Sequence, residues 1–492
     1  EPFPKNIICN SCNDGYNKLR KQNVSLNIKL GSVIMYQIDF EKPIHIHFIG
    51  IGGISMSGLA EILADRGFRI SGSDSKESSL TGHLVGKGIT VLYGQSAQNI
   101  TPDIDLVVYT AAIHNDNPEL CAARKTGIPC MTRAELLGQI MKNYPIPIAV
   151  SGTHGKTTTT SMISEIFMNA GMDPTLSIGG ILHSIGGNIK IGASDYFVTE
   201  ACEYTNSFLS FFPKISIILN IDADHLDFFK DINDIRHSFH RFAGLLPENG
   251  TLIINGEIPN LSEITDGLNC DIITFGLSRD CDYYPVDITY DTYARPTFKA
   301  CHNGESRTIT LGVTGEHNIL NSLAAIALAD LCGVDADVTH DSLASFTGTD
   351  RRFQIKGTVD GVTIIDDYAH HPTEISATLH AARNYPHKKL WCVFQPHTYT
   401  RTKALLPEFA KALSLADHVV LADIYAARET DNLGISSRTL QNEIQKLGTT
   451  CDYFPSFEEI EAFLKKNYSA GDLLITMGAG DVVKIGENLL AD

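Results

Sequence analysis

Residues 146–158 read Ile-Pro-Ile-Ala-Val-Ser-Gly-Thr-His-Gly-Lys-Thr-Thr, and their reading decides the fold. The apolar run Ile146–Val150 predicts a short buried strand. The small residues after it let the chain turn sharply into a helix beginning near Lys156. A turn of this kind aims backbone N–H groups at phosphate oxygens, with the positive end of the helix dipole behind them. Gly152, Thr153, His154, Gly155, Lys156, Thr157 and Thr158 are therefore assigned to nucleotide binding. Lys156 is placed to meet the terminal phosphates of ATP, and the Thr157 hydroxyl to ligate Mg²⁺. The common pattern G-x-x-x-x-G-K-[ST] wants glycine at position 150, where this chain has Val150. The stretch predicts an ATP-consuming enzyme.

In open parallel sheets, ligands bind beyond the carboxyl ends of the strands. Downstream, Glu200 ends a predicted strand in Thr199-Glu-Ala-Cys-Glu203, and His225 follows another in Asn220-Ile-Asp-Ala-Asp-His. Together with Thr157 they are expected at the triphosphate metal, although imidazole is an uncommon Mg²⁺ ligand. Taken singly, each also reads as a solvated loop residue or a helix cap. Asn318 and Asn321, three residues apart, share one helical face and are assigned to the nucleotide. Asn318 is also a candidate cap.

Upstream, the alternation Ile44–Ile49 runs into Gly50-Ile-Gly-Gly53 and a helical stretch over Met56–Arg66. Ser55 stands where G-x-G-x-x-G would have its last glycine, so a nicotinamide fingerprint is incomplete. A different nucleotide diphosphate fits this loop equally well. Asp74 lies near the spacing at which such folds hold a ribose hydroxyl. Towards the C-terminus, Arg351-Arg352, Asp366-Asp-Tyr-Ala-His-His-Pro372 and Gln395-Pro-His397-Thr-Tyr-Thr-Arg401 all flank predicted strands. Clustered Arg, Asp and His at one sheet edge would hold a small zwitterion and an anionic intermediate. The His-His-Pro triplet reads equally as a helix N-terminus.

Strands alternating with helices predict an α/β chain with parallel sheets. A length of 492 residues calls for several domains, which we place at 35–144, 145–345 and 346–492. Residues 1–34 read as an appended or disordered extension, with Met35 as the expected natural start. Cys9 and Cys12 form a lone C-x-x-C. The eleven cysteines are scattered and odd in number, which fits a reducing cytoplasm better than a disulfide framework. No window holds 18 uninterrupted apolar residues, so no membrane partner is expected. A net charge of −18 argues against nucleic-acid binding.

Five motifs, in this order, carry a resemblance to a known family: Gly50-Ile-Gly-Gly-Ile-Ser-Met-Ser-Gly58, Ser151-Gly-Thr-His-Gly-Lys-Thr157, Glu316-His-Asn-Ile-Leu-Asn321, Arg351-Arg-Phe353 and Asp366-Asp-Tyr-Ala-His-His-Pro372. From about Met35 onward the chain resembles the amino-acid-adding Mur ligases of peptidoglycan synthesis, in particular those that join L-alanine to UDP-N-acetylmuramate. The resemblance implies a Rossmann-like N-terminal domain, a central P-loop ATPase domain and a Rossmann-like C-terminal domain. It implies ATP and Mg²⁺ as cofactors, and an acyl phosphate on the sugar's lactyl carboxylate. It also implies a cytoplasmic enzyme, expected as a monomer or weak homodimer. By the same match, Lys156, Glu200, His225, Arg352 and Asp367 would be catalytic, with Thr157 and Glu200 holding one Mg²⁺ and His225 helping to hold a second. Gly50, Gly52, Gly53, Ser55, Met56, Ser57 and Asp74 would contact the nucleotide sugar, and Arg401 with His371 or His397 the alanine. Two departures stand out: Asp231–Arg241 lacks the lysine that some relatives carry carbamylated, and Thr398 stands where some have arginine. The alternatives are a ligase that recycles a murein tripeptide, a nicotinamide-dependent dehydrogenase, and a non-catalytic nucleotide-binding regulator.

Overall fold

A computed structural model of the chain describes residues 36–427 and 429–491. The expected extension 1–34, the start at Met35 and the Cys9–Cys12 pair lie outside the described residues. Among the described residues four sheets form. The first is wholly parallel, in the order Thr90–Tyr93, Arg69–Asp74, His45–Ile49, Leu106–Tyr109, Cys130–Thr132. Its central strand His45–Ile49 is buried along its whole length, as a strand covered on both faces must be.

The central sheet has seven strands, with Ile146–Ser151 in the middle between Ile215–Ile218 and Tyr196–Ala201. This explains Val150. Position 150 is still inside the strand, fully buried, and pairs with Ile217 and Glu200, so the turn begins only at Gly152. A small antiparallel sheet is formed by Tyr284–Tyr290, Pro296–His302 and Glu305–Thr310. The helix His317–Leu331 then packs along Lys156–Asn169.

The C-terminal sheet runs Gln354–Val359, Val362–Asp367, Leu473–Met477, Leu390–Phe394, His418–Leu421, Thr450–Tyr453. Only its first strand is antiparallel. A buried core lies on each face of this sheet, one around Phe394 and Phe409 and the other around Trp391.

Two glycines fix how the first sheet's helices meet the central domain. A Cβ on Gly138 would lie 1.9 Å from the Ser210 carbonyl oxygen, and one on Gly58 would lie 2.1 Å from the Ile189 side chain. Neither approach leaves room for a larger residue. No helix among the described residues is long and apolar enough to cross a membrane, and the described cysteines are all free.

Candidate active site

The phosphate loop is built by two left-handed glycines, Gly152 at φ +138° and Gly155 at φ +85°. Gly155 is also the point where the Asn321 amide comes closest; a Cβ there would meet its oxygen at 2.5 Å. Asn321 Nδ2 donates to Asn318 Oδ1 at 3.0 Å, and Asn318 Nδ2 donates to the Thr314 carbonyl at 2.7 Å. Asn318 is thus inside its helix and is not the cap.

The Lys156 ammonium donates to the carbonyls of Gly152 and Thr153 and lies 3.1 Å from Glu203 Oε2. Burial alone would lower its pKa, but the Glu203 carboxylate outweighs this and raises it. The lysine is therefore a fixed cation. Thr157 Oγ1 donates to Glu200 Oε2 at 3.1 Å, and the Gly179 N–H donates to the other Glu200 oxygen at 2.6 Å. Burial raises the Glu200 pKa against these donors, so this carboxylate gains from a nearby cation.

His225 stands apart from the Thr157–Glu200 contact. Its Nε2 lies 3.9 Å from Glu203 Oε1, and its ring packs on Tyr204 with centroids 4.5 Å apart. Thr157 with Glu200 and His225 with Glu203 thus form two separate pairs, and Glu203 also faces Lys156. Glu203 was quoted in the sequence without a role. Its E-x-x-E spacing from Glu200 was the available signal.

A cavity of about 890 Å³ opens between the central and C-terminal domains, lined by Gly155, Asn318 and Asn321 on one side and Arg352 and Asp367 on the other. That volume is in the range of nucleotide-sized ligands. Arg352 sits over the Tyr368 ring at 5.3 Å. Asp367 accepts from the backbone N–H of Phe353 at 2.8 Å and of Ala369 at 2.7 Å. Burial nonetheless pushes its pKa up to about 6, against the pull of Arg352.

A second cavity of about 270 Å³ adjoins His225, Asp224, His397, Thr398 and Arg401. Arg401 bonds Asp224 Oδ1 through Nε at 3.0 Å and through NH2 at 2.9 Å, across the domain boundary. Burial would raise the Asp224 pKa, but Arg401 holds it below the usual carboxylate range. Burial, with the His370 and Arg401 charges, pushes His397 down to about 4, so its ring is neutral. Thr398 caps the helix Tyr399–Ala404 and contributes no charge. His371 is not in this cavity. It caps the helix Pro372–Asn384, and its Nε2 lies 3.2 Å from the Ala223 carbonyl. The ring thus sits at a helix N-terminus, one of the two readings of His-His-Pro.

At the N-terminal sheet, Gly50 and Ile51 donate to the Ser73 carbonyl, and Gly52 donates to Asp74 Oδ2 at 2.8 Å. Asp74 therefore clamps the loop expected to bind beside it. The Met56 and Ser57 side chains are buried, and Ser57 N donates to the Gly53 carbonyl. What faces outward is the start of the helix Ile54–Asp65, whose N-cap Gly53 supplies no side-chain cap. The backbone N–H groups of residues 54–56 precede the first intrahelical bond, from Ser57 to Gly53.

Three family profiles match the chain: "Mur ligase family, catalytic domain" over residues 45–145, "Mur ligase middle domain" over 150–329 and "Mur ligase, glutamate ligase domain" over 351–480. UDP-N-acetylmuramate–L-alanine ligase of Agathobacter rectalis is 64% identical over 457 residues, 93% of this chain and 100% of that one. The protein of the same name from Lachnospira eligens is 62% identical over 458 residues, with the same coverage. The crystal structure of UDP-N-acetylmuramate–alanine ligase from Thermotoga maritima superposes with a TM-score of 0.76 at 30% identity, covering 91% of this chain and 98% of that one. A murein peptide ligase from Psychrobacter arcticus gives a TM-score of 0.68 at 26% identity, with the same shares covered. With all three domains matched and relatives this similar over their full length, the chain belongs to the Mur ligase family.

Proposed function

We propose that this chain joins L-alanine to the lactyl carboxylate of UDP-N-acetylmuramate, with ATP converted to ADP and phosphate. The reading is carried by the relatives of that name, identical at 62–64% of positions along their whole length. The domain boundaries we propose are 144/145 and 345/346.

A carboxylate is a poor acylating agent, and phosphorylation supplies the leaving group it lacks. Two anions must meet for this to occur, so fixed positive charge has to surround them. Lys156 provides it from the central domain, held in place by two carbonyls and Glu203. Arg352 provides it from the C-terminal domain, in the lining of the cavity that the loop residue Gly155 also borders. Asn318 and Asn321 line the central-domain side of that cavity beside the loop and address the nucleotide. Asp367, anchored by two backbone N–H groups, orients the ribose or the closing domain.

The oxygen donors Thr157, Glu200 and Glu203, with the His225 imidazole near Glu203, fit a hard divalent cation. Mg²⁺ held there would neutralise the transferred phosphoryl group. Glu200, whose ionisation burial disfavours, is the side chain that such an ion would stabilise most.

The alanine is assigned to the smaller cavity, where Arg401 and Asp224 present a cation and an anion to a zwitterion. Its volume, about 270 Å³, suits one small amino acid and supports that reading over a tripeptide. The nucleotide sugar's diphosphate is assigned to the uncapped helix start at residues 54–56. Because the groups come from different domains, closure both assembles the site and excludes water that would hydrolyse an acyl phosphate. In a coupled assay, phosphate release should require both UDP-N-acetylmuramate and L-alanine; release with murein tripeptide in place of alanine would assign the recycling activity instead.

A further inference from the structure

We propose that His154, Asp222 and His371 form a binding site for a transition-metal ion of the zinc class, bridging the phosphate loop to the C-terminal domain. One ligand atom from each residue lies within 4.8 Å of the other two, and no other such cluster of His, Cys, Asp or Glu occurs among the described residues. His154 Nε2 is 3.4 Å from Asp222 Oδ2, and His371 Nδ1 is 4.0 Å from the same oxygen. A tetrahedral ion with bonds of about 2.1 Å sets its ligand atoms roughly 3.4 Å apart. One edge of that figure is already in place, and small side-chain rotations close the others.

The surrounding hydrogen bonds favour the same assignment. A metal-bound imidazole characteristically gives its other N–H to a carboxylate or a carbonyl, which fixes the ring. His154 Nδ1 is 3.2 Å from Glu374 Oε1, and His371 Nε2 is 3.2 Å from the Ala223 carbonyl. Both rings are thus held by their far nitrogens, and their near nitrogens turn towards Asp222. The rings lie 4.8 Å apart between centroids.

Two present contacts change on binding: the Thr373 N–H releases His371 Nδ1, now 3.3 Å away, and Thr373 Oγ1 shares Asp222 Oδ2, now at 2.7 Å. Imidazole and one carboxylate suit Zn²⁺ better than Mg²⁺, which prefers oxygen. The site shares no residue with the Thr157, Glu200, Glu203 and His225 set. His154 and Asp222 belong to the central domain and His371 to the C-terminal domain, so an ion here staples the two together. Because domain opening releases product, such a staple slows turnover.

Co²⁺ tests this through its visible d–d absorption. The full chain carrying Cys9→Ser and Cys12→Ser, so that the C-x-x-C thiolates cannot compete, is stripped of metal and titrated without ATP or Mg²⁺. The expected result is one equivalent of Co²⁺ with the intense absorption of a four- or five-coordinate centre, displaced by Zn²⁺. His154→Gln, His371→Gln and Asp222→Asn should each weaken binding at least tenfold, with folding checked by circular dichroism; Glu200→Gln should leave it unchanged. The proposal is overturned by a weak octahedral spectrum, by a thiolate charge-transfer band, or by binding that follows Glu200→Gln and ignores the folded variants of the three ligands.

Discussion

Lys156 and Glu203 form a buried ion pair, with the Glu203 side chain only 2% exposed. Replacing Lys156 with alanine removes the charge that meets the phosphates and leaves Glu203 buried without its partner. The first effect should lower kcat at least about 10³-fold, as loss of a fixed transition-state charge does. The second should destabilise the fold by about 3–5 kcal/mol. The two separate in the double variant Lys156→Ala/Glu203→Gln, which should recover much of the lost stability in thermal melts and none of the phosphate release. Equal melting temperatures for the single and double variants would show that the pair is not coupled. The loop residues were legible because their spacing is local. Glu203, Asp222, Asp224 and Glu374 were not, because each acquires its role from a partner brought near only by the fold. Glu374 meets His154 from 220 residues away. The same reason explains His371, whose place as a helix cap was one of two local readings that the sequence left open.

Among the elements, buried parallel strands are legible as apolar runs, as in Leu106–Tyr109, Thr251–Asn255, His418–Leu421 and Leu473–Met477. Strands without such a run are not. Thr175–Leu182 contains Gly179 and Gly180, which blank out the alternation. Gly179 is small because the Glu200 carboxylate rests against it; a Cβ there would lie 2.5 Å from Oε2. The edge strands Gln354–Val359 and Thr450–Tyr453 are only partly buried and carry mixed residues. Of the described glycines, Gly138 makes the closest backbone approach, joining the helix Arg133–Met141 to the 3-10 segment Tyr204–Ser210. Gly138→Ala should force them apart at a cost of about 1–3 kcal/mol. Since this helix belongs to the N-terminal domain, the substitution should raise KM for the nucleotide sugar several-fold more than KM for ATP. Equal effects on both would show that the contact does not set the domain's position.

At the scale of the whole molecule, the central and C-terminal domains meet through charge: His154 with Glu374, Thr373 with Asp222, Arg401 with Asp224. His154, raised from 6.5 to about 9 in the fold, contributes stability that is complete below pH 6.5 and is lost as pH rises through about 9. The Asp222 and Glu374 carboxylates, both lowered, contribute stability present above their ordinary range and lost in acid. For metal-free protein, the melting-temperature difference between parent and His154→Gln should therefore shrink from pH 6.5 to 9; a difference independent of pH would show that His154 carries no proton in the closed form. The three-domain plan was legible from strand order and motif sequence, whereas the interface chemistry was not, since single charged residues look alike on any surface. This assembly activates a carboxylate for attack by alanine. Phosphate release measured with UDP-N-acetylmuramate against a panel of amino acids and murein tripeptide tests it most directly. Release with L-alanine, abolished by Lys156→Ala and accompanied by the alanyl product, is the predicted result; release that does not depend on an amino acid, or depends on the tripeptide alone, would contradict it.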